Sequence, residues 1–186
     1  MDFTPVIAAL TAFAICAASG KIVIPFLHKL KFGQTILDIG PKWHEKKQGT
    51  PTMGGVMIAL GMLVGIAVSI TFSAVFDTGL NNYFKLSSNV TRFAAGIALA
   101  LGMGLIGFFD DYIKVVKKRN MCLTILQKTV LQIVLMVGYL LTLFINDPTG
   151  SMFIPFVGMI ETRIFFWVIG VAVIYCITNA VNFTDG

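Results

Sequence analysis

The sequence predicts an all-α fold: a polytopic membrane helix bundle with five transmembrane helices, in a single integral-membrane domain over residues 1–186. Three observations carry that expectation. The chain is 56% hydrophobic and only 12% charged, about half the charge of a soluble domain. Its apolar residues fall in long runs of roughly the 20 residues that a helix needs to cross a bilayer. The runs are too long for strands and lack the alternation of a membrane barrel.

The first run covers residues 5–27 and is interrupted by Lys21. Asp2 is its only early charge. It has no basic start, exceeds the apolar core of a signal peptide and precedes no clear small-residue cleavage site, so a retained helix is expected. The remaining runs are residues 54–76, 93–109, 129–145 and 164–181. Closely spaced small residues, Gly61 with Gly65 and Gly102 with Gly104, suit close helix approach. Between the fourth and fifth runs, residues 151–157 have strand character, and Pro155 and Gly158 suit a short turn or hairpin.

Basic residues set the expected orientation. Lys29, Lys31, Lys42, Lys46 and Lys47 follow the first run; Lys114, Lys117, Lys118, Arg119 and Lys128 follow the third. The other loops hold little beyond Lys85, with Arg92 and Arg163 at helix starts. The positive-inside rule then puts both basic segments in the cytoplasm and the N-terminus outside. The formal charge of +5 is mostly this topology signal. Part of it can attract anionic lipid or an anionic substrate. Basic residues confined to short loops beside a membrane argue against a nucleic-acid partner. Cys16, Cys122 and Cys176 have neither paired nor metal-binding spacing.

Four polar groups lie on the predicted cytoplasmic side, each with a functional and a structural explanation. Residues 49–55, Gly-Thr-Pro-Thr-Met-Gly-Gly, lead into the second helix. Thr50 or Thr52 can cap it and Pro51 fits its start. The paired glycines permit close backbone approach, and free N–H groups there favour phosphate, with Lys47 just upstream. The structural alternative is a capped helix start beside topology-setting lysines. Asp110 and Asp111 sit at the end of the third run, where adjacent carboxylates repel and the helix dipole favours cations. Lys114 or a hard cation such as Mg²⁺ would compensate them, and ionisable groups at membrane depth point to function; the alternative is a solvated helix end. Lys128 opens the fourth helix and by itself suits an interfacial snorkelling lysine. Asn179, Asn182 and Asp185, three residues apart, share a broad helix face. They could orient a nucleotide or hydrated Mg²⁺, or simply hydrogen-bond between helices. Together the four groups supply what phosphoryl transfer needs: cations for phosphates, and carboxylates for a metal or a proton.

The same residues carry a family resemblance. Residues 47–55, Lys-Gln-Gly-Thr-Pro-Thr-Met-Gly-Gly, residues 107–114, Gly-Phe-Phe-Asp-Asp-Tyr-Ile-Lys, and residues 179–186, Asn-Ala-Val-Asn-Phe-Thr-Asp-Gly, resemble three segments of the bacterial phospho-N-acetylmuramoyl-pentapeptide transferases. These belong to the polyprenyl-phosphate N-acetylhexosamine-1-phosphate transferases. The Asp pair and the Asn-Asp motif mark the wider group; Thr-Pro-Thr-Met-Gly-Gly marks the narrower one. The resemblance covers essentially the whole chain and implies a multi-pass enzyme of the bacterial inner membrane, a homodimer being the usual assembly. Its reaction is transfer of phospho-N-acetylmuramoyl-pentapeptide from UDP to undecaprenyl phosphate, giving lipid I and UMP for peptidoglycan synthesis, with Mg²⁺ required. It assigns Asp110 as base for the lipid phosphate, Asp111 as its support or a metal ligand, and Asp185 as a metal and nucleotide residue. Lys47, Thr52, Lys128 and Asn182 would bind the nucleotide substrate, with His44 a weaker candidate for the same cleft.

Two departures stand out. Cys122 occupies a usual glycine position in the loop before Lys128. The chain also stops within the third motif, with five of about ten expected family helices, so it is expected to be an N-terminal half that is inactive alone. The alternatives are a sister transferase for UDP-N-acetylglucosamine, a transporter using the Asp pair as a relay, and a non-catalytic membrane fragment.

Overall fold

Inside hydrocarbon a backbone N–H or C=O has no water to bond, so an apolar segment must satisfy its own polar groups, and a helix does so. The computed structural model bears this out for the apolar runs. It describes residues 2–29, 53–117 and 123–184, without the side chains of 114–117 and 182–184. The described elements are α1 (Thr4–Lys29), α2 (Gly55–Phe76), α3 (Gly79–Phe84), α4 (Ser87–Lys117), α5 (Ile125–Asn146), β1 (Ser151–Ile154), β2 (Gly158–Glu161) and α6 (Phe165–Thr184). Four helical stretches, Thr4–Lys29, Gly55–Phe76, Ser87–Ile113 and Ile125–Asn146, are long and apolar enough to cross a membrane, and the apolar part of α6, Phe165–Val181, is shorter. This is a polytopic helical membrane fold.

The largest departure from the expected boundaries is α4. It begins at Ser87 and ends at Lys117, where the apolar run marked only residues 93–109. Leu86 O accepts from the N–H groups of Asn89 (3.0 Å) and Val90 (3.3 Å), starting the helix in polar sequence. Past Phe109 there is no Gly or Pro to stop it. At 1.5 Å per residue α4 is about 46 Å long, well beyond the roughly 30 Å hydrocarbon core. Arg92 is therefore inside a helix, not at its start. Asp110 and Asp111 are likewise two turns before the end of α4, so the expected conflict with a C-terminal dipole falls away.

The chain divides into two compact units. The first comprises Met1–Lys85 and Gly107–Cys122. Its α1 and α2 meet along a stripe of buried small residues at four-residue spacing, Gly61, Gly65, Ser69 and Ser73. A Cβ at Gly61 would lie 2.6 Å from the Ala12 carbonyl oxygen, and one at Gly65 2.8 Å from that of Ala8. The end carrying the N-terminus is tied by hydroxyls. Thr4 Oγ1 pairs with Thr78 Oγ1 at 2.9 Å, Thr78 donates to Ser73 Oγ at 2.7 Å, and the Thr4 N–H donates to Asp2 at 2.9 Å. Asp77, left-handed at φ 45°, caps α2 by donating its N–H to Ser73 O and turns the chain into α3.

The second unit comprises Leu86–Ile106 and Leu123–Gly186. Here α5 and α6 run antiparallel: Phe144 meets Phe166 and Trp167 at 6.3 and 5.5 Å between ring centroids. Gly170 lets the Leu140 methyls come within 2.8 Å of where a Cβ would stand. Gly102 of α4 likewise admits Leu135, whereas no described residue comes within 4 Å of a Cβ at Gly104. The strand character of 151–157 resolves into an antiparallel hairpin pairing Ser151 with Glu161 and Ile154 with Gly158. Its turn needs Phe156 at φ 69° and Gly158 at φ 99°.

Candidate functional site

The candidate residues fall into those that the structure describes and those outside it. Lys47, Thr50, Pro51, Thr52, Cys122 and Asp185 lie outside the described residues, as does His44. Asn182 is helical in backbone. Asp110, Asp111, Lys128 and Asn179 are described with their side chains.

Asp110 is buried, with 6% of its surface exposed. Ile106 is buried four residues earlier, and i, i+4 positions share a helix face. Phe108 and Tyr112 stack on a different face, centroids 6.2 Å apart and planes at 12°. Asp111 is half-buried. A helix rotates about 100° per residue, so the two adjacent carboxylates leave α4 in different directions and meet different surroundings. In type they suit a hard cation, because carboxylate oxygens are the preferred ligands of Mg²⁺. No group of three or more His, Cys, Asp or Glu is gathered among the described residues; Mg²⁺ commonly takes only one or two carboxylates, with water and phosphate oxygens completing its shell.

The glycine segment reaches the described residues at Met53. That residue is buried and left-handed, at φ 71°, a conformation uncommon outside glycine. It turns the chain onto α2, whose N-cap is Gly54. Gly54 has no side chain to cap with, and the expected caps Thr50 and Thr52 lie outside the described residues. A Cβ added at Gly55 would meet nothing within 4 Å. Close approach at this glycine is therefore not needed to pack the described residues.

Asp110 and Asp111 belong to the first compact unit, Lys128 and Asn179 to the second. Lys128 is half-buried in the first turns of α5, which begins earlier than the apolar run because of a capping box. Thr124 Oγ1 accepts from the Gln127 N–H at 3.2 Å, and Gln127 Oε1 accepts from the Thr124 N–H at 3.0 Å. The Thr-x-x-Gln pattern that encodes it is legible in the sequence but was not among the expectations. Asn179 Nδ2 donates to Gln132 Oε1 on α5 at 3.3 Å and to Tyr175 O at 2.9 Å. The interhelical alternative for Asn179 thus holds. Gln132, buried in an apolar helix, is the partner that the sequence reading missed; its signal was a lone amide within 129–145.

These features can be compared with known proteins. A family model described as glycosyl transferase family 4 matches residues 93–186. A phospho-N-acetylmuramoyl-pentapeptide-transferase signature matches residues 47–58. Proteins named phospho-N-acetylmuramoyl-pentapeptide-transferase from Bacillus thuringiensis (strain Al Hakam) and from Bacillus cereus (strains AH187 and G9842) are each 41% identical over 181 residues. That alignment takes in 94% of this chain and 50% of each relative, so the chain spans about half the length of the curated relatives it matches. The matched half contains the Asp pair of α4, Lys128 and the Asn179 helix, and on it the chain belongs to glycosyl transferase family 4.

Proposed function

We propose that the protein, in the complete form its relatives share, transfers phospho-N-acetylmuramoyl-pentapeptide from its UDP-linked donor to undecaprenyl phosphate. The observation that carries this reading is the signature over residues 47–58, which leads into α2, on a chain whose α4 holds a buried Asp110 beside Asp111.

In the reaction an oxygen of the lipid phosphate attacks the phosphorus next to the sugar. The bond from that phosphorus to the UMP oxygen breaks, a new pyrophosphate bond forms, and UMP leaves. Asp110 is the proton acceptor for the lipid phosphate, and burial shields it from competing water. Asp111 supports it from the neighbouring position. Lys47, Thr52 and Lys128 hold the nucleotide's phosphates and Asn182 orients the nucleotide. Asp111 and Asp185 are the residues that would hold Mg²⁺, which when bound offsets the charge developing on the leaving phosphate oxygens. The positive-inside rule puts residues 29–47 and 114–128 in the cytoplasm, the side where a nucleotide donor is found.

The test is UMP release by the complete protein in detergent with undecaprenyl phosphate, comparing the two UDP-sugars. Release from UDP-N-acetylmuramoyl-pentapeptide supports the proposal. Preference for UDP-N-acetylglucosamine would overturn the choice of substrate, and ion flux without UMP would overturn the reaction class.

A further inference from the structure

The hairpin between α5 and α6 has a composition that water does not explain. From Met152 to Ile160 there is no charged side chain and no polar one. A two-stranded sheet at an aqueous surface normally alternates apolar and polar residues, one face wet and one packed. Between Met152 and Ile160 both faces are apolar. Met152, Ile154 and Ile160 lie on one; Phe153 and Met159 lie on the other, which turns polar only at the foot, with Ser151 and Glu161. Their exposures differ: Ile154 and Ile160 are 38% and 37% exposed, Phe153 and Met159 70% and 67%. The turn adds Phe156, fully exposed, and Val157, two-thirds exposed.

The charges are segregated to the hairpin's foot, at Asp147, Glu161 and Arg163. The links to the helices are short. Residues 147–150 join α5 to β1, and residues 162–164 join β2 to α6. Strand β1 extends only about 13 Å, at roughly 3.3 Å per residue. The tip therefore stays within one strand length of the ends of α5 and α6. Ile164, just before α6, and Phe165 and Val168 in its first turn are also exposed and apolar, so exposed apolar residues lie on both sides of the charged foot.

We propose that the hairpin is a membrane-interface anchor: Phe153, Phe156, Val157 and Met159 enter the bilayer leaflet at that end of α5 and α6. The occupant is lipid, because the apolar tip is tethered by links of four and three residues to the ends of two apolar helices, with exposed apolar residues on both sides of its foot. An element with an apolar face and charges at its margin rests in the headgroup and acyl boundary. Aromatic rings are favoured at this depth. The anchor fixes the α5–α6 connection laterally. It rests on the membrane fold and not on the transfer reaction.

The test is spin-label accessibility at Phe156→Cys and Phe153→Cys in the complete protein, with native cysteines replaced by serine, at one copy per phosphatidylcholine–phosphatidylglycerol nanodisc. Glu161→Cys is the aqueous reference. Oxygen concentrates in lipid and a nickel chelate in water. The expected result is an oxygen-to-nickel collision ratio several-fold higher at 153 and 156 than at 161. High nickel accessibility at the tip would overturn the proposal in favour of water. Low accessibility to both reagents would overturn it in favour of a covering protein segment. If the cysteine replacements unfold the protein, Phe156→Trp against Val168→Trp reads the same question: brominated lipid should quench the added fluorescence at both positions, and no added quenching at 156 would overturn the proposal. UMP release measured alongside separates this outcome from failure of the transferase reading.

Discussion

Substituting Gly61 by alanine should separate α1 from α2. The new Cβ would stand 2.6 Å from the Ala12 carbonyl oxygen and 3.3 Å from Cys16 Cβ. Backbone cannot rotate away, so an ordinary contact requires the helices to part by about 0.8 Å locally. A gap of that size forfeits roughly a quarter to a half of each dispersion contact it opens. Overpacking of this kind costs about 1–3 kcal/mol, against about 1 kcal/mol gained from alanine's helix propensity. The expected net loss is about 0–2 kcal/mol. Gly102→Ala meets only the Leu135 methyls, at 2.8 and 3.1 Å. Their rotation costs about 0.5–1.5 kcal/mol, so the propensity gain leaves that variant near neutral. Gly55→Ala meets nothing and serves as control. Reversible unfolding in mixed micelles, followed by circular dichroism, measures all three. Equal stability of Gly61→Ala and Gly55→Ala would refute the claim that backbone contact, and not small size alone, makes this interface.

Three further outcomes follow from particular contacts. Because no described residue comes within 4 Å of a Cβ at Gly55, Gly55→Ala should fold normally, and on the proposed function it should raise the donor KM about tenfold, a loss of about 1.4 kcal/mol of binding; an unchanged KM would remove the glycine pair from the donor site. Thr124→Ala should cost about 1 kcal/mol through loss of the α5 cap, and Thr124→Ser should restore it; equal stability of the two variants would count against the cap. Asp147 accepts bonds from the Thr149 hydroxyl at 2.6 Å and N–H at 3.2 Å. The Thr149 hydroxyl above all, and then its N–H, Ser151 and the charge of Arg92, hold this carboxyl below its usual range against a smaller opposing effect of burial. A carboxylate with a lowered folded-state pKa stabilises above its unfolded value and loses that effect as pH falls through the folded one. The advantage of wild type over Asp147→Asn should therefore be constant near neutrality and vanish in acid below the ordinary Asp range, as read by unfolding across pH; an advantage that persists there would exclude the carboxylate's charge as its origin.

The sequence made the helices legible because hydrocarbon leaves an apolar run few alternatives, and it made the hairpin legible because Pro155 and Gly158 interrupt a run too short to cross. Helix ends were less legible, since an apolar run measures immersion and not helicity. Both ends of α4 are polar residues that continue the helix with nothing to stop them. The first turn of α5 is polar too, and there a local cap decides the boundary. At the candidate site, residue types were readable because an intramembrane Asp pair has few bland uses. Partners were not: Gln132 lies 47 residues from Asn179, and only tertiary packing joins them. Gly104 likewise meets no described residue, because a small residue permits approach without supplying a neighbour.

The extension of α4 changes the argument for Asp110 and Asp111. At a helix terminus the two carboxylates would share one frayed, solvated environment and could exchange roles. Inside a helix they cannot, because consecutive side chains diverge by about 100°. Asp110 is buried and Asp111 only half so. On the proposed reaction, the carboxylate facing the lipid phosphate would be the one in the water-poor setting, and burial points to Asp110. The other remains on a more open side, where a hydrated cation or nucleotide phosphate can reach it. Asp110→Asn should therefore lower kcat by about 10²–10⁴, the range of a lost general base, with little change in the Mg²⁺ concentration for half-maximal rate. Asp111→Asn should instead raise that Mg²⁺ requirement. Steady-state UMP release over a Mg²⁺ series distinguishes them, and indistinguishable kcat and Mg²⁺ profiles would show that the helix does not divide the labour of the pair.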